Sequence, residues 1–258
     1  MKLIEQNLLY NGDNRYLNES ILLEKMGMTY IVGARCKDGV VLIGDQKVTL
    51  EGGADYDFED KIFRDIPNII VGSSGASGLF DKFRSRVGQY VATHTQGVEI
   101  QAFISEIENI TKALNDEYRE RLQGQYFDVL LAVKLPQVSA LQYIHPFGFA
   151  EGVRKYKAIG HGEPYGSVFL KCLTKLWHND VTMEQFAELG YFIIRYIDEF
   201  KLDNTVGGDP QIWFIPDGEK NEVHQADPEM CKKLKDKTEK RLKKLGEDIN
   251  SLFTDGAT

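Results

Sequence analysis

A turn, Lys37-Asp38-Gly39, stands between two apolar runs, Tyr30–Ala34 and Val40–Gly44. Asp-Gly between β-branched runs is a strong short-range signal for a tight antiparallel hairpin. The hairpin does more than pair two strands. Thr29 lies at the mouth of the first run and Asp45 at the end of the second. Pairing therefore brings a hydroxyl and a carboxylate to the same end of the hairpin.

Around that hairpin the first third of the chain alternates short apolar runs with turns. An extended piece is expected at Gln46–Glu51, an acidic surface loop at Asp55–Asp60, and a strand pair at Lys61–Ile66 and Asn68–Gly72 with Pro67 in its turn. Ser73-Ser74-Gly75-Ala76-Ser77 opens a helix, since small and hydroxyl residues favour a helix start. Leu79, Phe83, Val87 and Tyr90 recur with helical spacing, as do Phe103, Ile107, Ile110 and Leu114 in a second helix over Ile100–Leu122. Strands return at Phe127–Lys134, Ala140–His145 and Tyr156–Ile159, with a short extended piece at Phe147–Glu151. Helices are expected at Tyr165–Trp177 and Thr182–Phe200, the latter opening on a capping-box pattern, then a strand at Gln211–Ile215 and a basic helix from Asp227 to Phe253. Leu17, Ile21, Leu22, Leu23 and Met26 make a further amphipathic face before Gly27. Strands, two helices, strands, two helices, strand, helix suit an α+β sandwich with two sheets inside and helices outside.

With 258 residues, 42% of them hydrophobic, the chain is long enough for one sizeable core with appendages. Its net charge of -8 argues against a general nucleic-acid binder, which needs a basic face. Cys36, Cys172 and Cys231 are far apart and not spaced as metal ligands, and they point to a reducing, cytoplasmic compartment. No run reaches membrane-spanning length, and Asn11-Gly12-Asp13-Asn14-Arg15 interrupts any signal-peptide core. None of the five histidines is placed as a metal ligand, and no glycine-rich phosphate loop is present. The charged run Lys232–Lys244 reads as a solvated helical face with i,i+4 pairing, or as a surface docking onto a partner subunit.

Cys36-Lys37-Asp38-Gly39-Val40-Val41-Leu42-Ile43-Gly44-Asp45, followed by Lys47-Val48-Thr49, resembles the proteasome subunits. So do Asp60-Lys61-Ile62, Ser74-Gly75 and Ala158-Ile159-Gly160-His161-Gly162. The resemblance covers Thr29 to Asp217. It implies the four-layer α-β-β-α sandwich of N-terminal-nucleophile hydrolases. It also divides the chain into an N-terminal extension or propeptide at 1–28, a proteasome-like domain at 29–222 and a charged C-terminal helical tail at 223–258.

In catalytic members of that family the nucleophile is a threonine made N-terminal by processing, and Thr29 falls on that position. A threonine hydroxyl needs a base, and a free α-amine on the same residue, with an unperturbed pKa of about 8, can serve. By the same resemblance Lys61 stands beside the hydroxyl, Asp45 orients Lys61, Gly75 donates its N–H to the oxyanion, and Asp203 supports the amine. Thr49, with Lys47 and Ser77, falls on substrate-binding positions, where Thr49 would pair with an extended peptide.

Three positions depart from the catalytic pattern. Met28, not glycine, precedes Thr29; Val206 replaces a serine in Asp203-Asn204-Thr205-Val206-Gly207; and Glu163 stands where a serine is common after Gly162. The leading expectation is a threonine endopeptidase that acts after removal of residues 1–28, needs no cofactor or metal, and cleaves peptides or unfolded proteins inside a homo- or hetero-oligomeric ring, with an ATP-dependent unfoldase as a partner. The alternatives are a non-catalytic α-type-like ring or scaffold subunit and a transpeptidase of the same fold.

Overall fold

A computed structural model describes residues 29–49, 56–75, 77–94, 99–120, 126–174, 181–219 and 221–254. The amphipathic segment Leu17–Met26 lies outside them. The hairpin forms as the turn chemistry predicts. Strands β1 (Ile31–Cys36) and β2 (Gly39–Gly44) pair antiparallel, with Ile31 opposite Gly44 and Cys36 opposite Gly39. Cys36 therefore closes β1, just before the turn.

Next come β3 (Lys47–Thr49), β4 (Tyr56–Phe58), β5 (Ile62–Ile66) and β6 (Ile69–Ser74). The expected acidic loop is in part a strand: Tyr56–Phe58 pairs with Lys47–Thr49. Helices α1 (Ser77–Thr93) and α2 (Ile100–Glu117) follow, then β7 (Asp128–Lys134), β8 (Ser139–Ile144), β9 (Ala150–Gly152) and β10 (Tyr156–Ile159). Helices α3 (Glu163–Thr174) and α4 (Met183–Glu199) come next, then β11 (Gln211–Pro216), β12 (His224–Gln225) and α5 (Pro228–Thr254). Thr182 caps α4 through the predicted reciprocal pair with Gln185. The two-residue β12 has no sequence signal.

Two five-stranded antiparallel sheets result, β10-β1-β2-β11-β12 and β5-β6-β7-β8-β9. Alternation along each strand sends successive side chains to opposite faces. Ile31, Leu42, Ile70, Leu130 and Leu141 meet in one cluster joining residues of both sheets. Val32, Val41 and Ile43 turn the other way, against Phe186, Tyr191 and Ile194 of α4 and Leu170 of α3. Phe63, Val71, Val129 and Leu131 face Phe83 of α1 with Phe103 and Ile107 of α2. Both faces of each sheet are thus covered, which explains why β2 and β6 are buried along their whole length.

The basic helix α5 lies along α4. Leu234 joins the cluster that α4 lines, and Thr238 and Leu242 are buried on the same face. Its charges pair mostly across to α4: Arg241 to Glu188 at 2.5 Å and Lys233 to Glu184 at 3.3 Å, with Lys237 also on Glu188. The expected i,i+4 pattern survives in Lys243 and Glu247, 3.9 Å apart.

Candidate active site

The hairpin end carries a closed polar centre. Antiparallel pairing sets Asp45 against the residue after Thr29. Its Oδ1 accepts from Tyr30 N at 2.8 Å, while Asp45 N donates to Tyr30 O at 3.1 Å. Gly207 N donates to Oδ2 at 3.2 Å. Lys61, at the entry of β5, donates to both carboxylate oxygens at 3.0 and 3.1 Å and to Lys47 O at 2.5 Å. Beside the pair, Gln211 accepts from Ile62 N at 3.1 Å and donates to Ile62 O at 2.8 Å, tying β11 to β5.

Asp45 and Lys61 are shut off from solvent. Burial pushes the Asp45 carboxyl up and pulls the Lys61 ammonium down, and their mutual attraction opposes both shifts. The two backbone N–H groups on Asp45 favour its ionised form and so, with Lys61, oppose the effect of desolvation.

Thr29, Lys61, Ser73, Ser74 and Gly75 share the wall of one small cavity, with about 20 Å³ of space for water-sized groups. The predicted hydroxyl, ammonium and glycine are thus brought together. Thr29 is buried, and Gly162 N donates to its carbonyl at 3.3 Å. Gly160, at φ +93°, lies so close that a Cβ there would stand 2.1 Å from Thr29 O. Gly75 has φ +129°, and a Cβ on it would meet Phe127 at 3.1 Å. Both glycines are needed for close approach in a backbone region that favours glycine.

Asp203 is held by Thr205 and His161. Its Oδ1 accepts from Thr205 N at 2.9 Å and Thr205 Oγ1 at 2.5 Å, and its Oδ2 pairs with His161 Nδ1 at 2.7 Å. Burial works against the charge, yet the bonds from Thr205 and His161 hold the carboxyl below the usual range. Val206 is fully buried in the α4 cluster. Lys47 enters the centre through its carbonyl, Thr49 ends β3 opposite Tyr56, and Ser77 begins α1.

Two groups here escaped sequence reasoning. His161 sits within the Gly160-His161-Gly162 signature, so its position was visible but its bond to Asp203 was not. Ser74 Oγ donates to Asp128 Oδ1, and Tyr143 Oη donates to Asp128 Oδ2 at 3.1 Å. Nothing local in the sequence marks that set. Among the described residues, no group of three or more His, Cys, Asp or Glu is placed to hold a metal ion, and no helix is long and apolar enough to cross a membrane.

Two five-stranded antiparallel sheets with helices against their outer faces, and a threonine, lysine and aspartate at one hairpin end, define an α+β protein of the architecture seen in Anbu. An Anbu (Gly-1) mutant from Hyphomicrobium sp. strain MC1 has a TM-score of 0.65 at 15% identity, over 85% of this chain and 96% of its own. Anbu, described as an ancestral beta-subunit, from Yersinia bercovieri has a TM-score of 0.64 at 15% identity, over 87% of this chain and 97% of its own. At that identity the likeness is one of fold. The proteasome subunit family model matches residues 25–206, and the chain belongs to that family. A proteasome subunit alpha of Methanococcus maripaludis is 27% identical over 68% of this chain and 67% of its own. A proteasome subunit alpha of Methanocaldococcus jannaschii is 28% identical over 66% of this chain and 64% of its own.

Proposed function

We propose that the chain is a ring-forming, α-type-like scaffold subunit of the proteasome family, in which the Thr29 centre serves structure and not turnover. The observation that carries this reading is the commitment of Asp203. Its oxygens are bound by Thr205 and His161, and buried Val206 stands where the resemblance leads one to expect an amine-supporting serine. While residue 28 remains attached, the nitrogen of Thr29 is an amide and cannot accept the hydroxyl proton. Similarity to subunits named proteasome subunit alpha supports the same reading. In it, helices and sheets stack as an α-β-β-α sandwich over 29–222. Residues 1–28 form an extension and 223–258 a charged tail, and the ring works in the cytoplasm with an ATP-dependent unfoldase.

A second reading rests on the cavity that joins Thr29, Lys61 and Gly75. Removal of residues 1–28 would free the amine of Thr29. The hydroxyl proton would pass to that amine as Oγ bonds to a peptide carbonyl, with Gly75 N–H facing the oxyanion and the proton returning to the leaving amine. The chain would then be a threonine endopeptidase of the β type.

Intact mass and sedimentation of the purified native protein, with and without an electrophilic peptide inhibitor, decide between the two. A full-length, unlabelled chain in a ring-sized assembly supports the scaffold. A species beginning at Thr29 and labelled there overturns it in favour of the peptidase. A monomer overturns the ring in both.

A further inference from the structure

Ser74 ends β6 directly opposite Asp128, the first residue of β7. Period-two alternation puts both on the sheet face that carries Ile70, Leu130 and Ala132. Tyr143 on β8 faces Leu130 and so lies diagonal to Asp128, within reach of a long side chain. The consequence is a chain of three side chains. Ser74 Oγ donates to one oxygen of Asp128 and Tyr143 Oη holds the other at 3.1 Å. Ser74 is 4% exposed and also lines the cavity shared with Lys61 and Gly75.

A hydroxyl within hydrogen-bond reach of a base, with the base fixed by a third group, is the arrangement that activates a nucleophile. We propose that Ser74, Asp128 and Tyr143 form a second hydroxyl centre, at which Ser74 takes a short acyl group from an ester donor independently of the amine of Thr29. In the step, Ser74 Oγ bonds to the acyl carbon and its proton passes to Asp128. The ester C–O bond breaks, and the proton leaves on the departing alcohol. Water then releases the acid by the reverse path.

Size and charge set the donor class. About 20 Å³ is little more than one water, so the smallest acyl group, acetyl, is the candidate and a peptide side chain is not. Lys61 lies on the same wall, with its ammonium bound to Asp45 and to Lys47 O. Desolvation pushes the Asp128 carboxyl up to about 6, against its bonds from Ser74 and Tyr143; Lys157 lowers it and Glu163 raises it. That value leaves the group ionised yet basic near neutral pH. Lys157 Nζ stands 4.3 Å above the Tyr143 ring and 4.0 Å from Glu163, and these two, with Glu151 acting on Tyr143, are the charged groups that would tune the centre.

The test uses the full-length protein with p-nitrophenyl acetate, quenched early and mapped by peptide mass. One acetyl on the peptide carrying Ser74 is expected, and it disappears in Ser74→Ala. Acylation of Ser74 should fall about 100-fold in Asp128→Asn. Tyr143→Phe, which keeps the ring, should lower the rate and move the pH midpoint. Circular dichroism certifies the fold of each variant. Acetyl found only on the Thr29 peptide or on lysines, or an unchanged Ser74 rate in folded Asp128→Asn, overturns the proposal. Neither result bears on whether the chain is a ring scaffold.

Discussion

Lys61 Nζ lies 3.0 Å from Asp45 Oδ1 in a pair whose side chains are 8% and 0% exposed. The pair joins three distant parts of the chain, since Asp45 also accepts from Tyr30 N and Gly207 N and Lys61 donates to Lys47 O. Removing one partner of a buried pair strands the other charge. Asp45→Ala should destabilise the fold by about 3–5 kcal/mol, read from urea unfolding. Asp45→Leu with Lys61→Met removes the stranded charge and should recover part of that loss. Full recovery is not expected, because Tyr30 N and Gly207 N still lack their acceptor at about 1–3 kcal/mol each.

The raised carboxyl of Asp128 makes stability depend on pH with a definite sign. Its folded value of about 6 exceeds the ordinary carboxylate value. The folded state therefore holds the proton more tightly than the unfolded chain. Its contribution is complete below about pH 4 and is lost as pH rises through about 6. Asp128→Asn stays neutral throughout. The stability of the wild type relative to this variant should fall by about 2 kcal/mol between pH 4 and 7 and then level off, as measured by denaturant melts at each pH.

Gly160 and Gly246 should answer alanine in opposite ways. A Cβ at Gly160 meets backbone, Thr29 O at 2.1 Å, at φ +93°. Gly160→Ala should cost about 3 kcal/mol or more, because neither the conformation nor the contact can relax cheaply. Gly246 lies inside α5 with nothing within 4 Å of its Cβ position. Gly246→Ala should stabilise by about 0.5–1 kcal/mol. Thermal melts of both variants check the pair.

Helix α5 is charged, yet its apolar line should decide its docking. Leu234 is 4% exposed within the α4 cluster, and Leu234→Ala should cost about 2–3 kcal/mol, independent of salt. Glu188 meets both Lys237 and Arg241 at the rim. Glu188→Gln should cost under about 1 kcal/mol, and the loss should vanish in high salt. Unfolding midpoints at low and high ionic strength separate the two effects.

Much of the site was legible before the structure. Asp38-Gly39 set the hairpin, and the hairpin set Asp45 beside the start of β1. The motifs around Lys61 and Gly75 led to two residues that do line the cavity with Thr29. The resemblance marks Asp203 as a site position, but its bonds to Thr205 and His161 come from the tertiary structure and have no local signal. Tyr56–Phe58 was missed as a strand because its acidic flanks read as a loop, whereas pairing with Lys47–Thr49 decided its conformation.

What the sequence alone determined was local: the turn, the two periodicities, the helix cap at Thr182 and the family signature from Cys36 to Thr49. Turn chemistry and side-chain period act over a few residues and leave their mark in the order of residue types. What only the tertiary structure decided was which polar groups meet across long separations. Asp128 faces Ser74 because β6 and β7 pair in one register, and a slip of one residue would turn both to the other face. Lys61 meets Asp45, and Asp203 meets His161, because two sheets and the 203–207 loop converge on one hairpin end. A buried charge must find a partner wherever the fold provides one, and that choice is made by packing and not by neighbours in the chain.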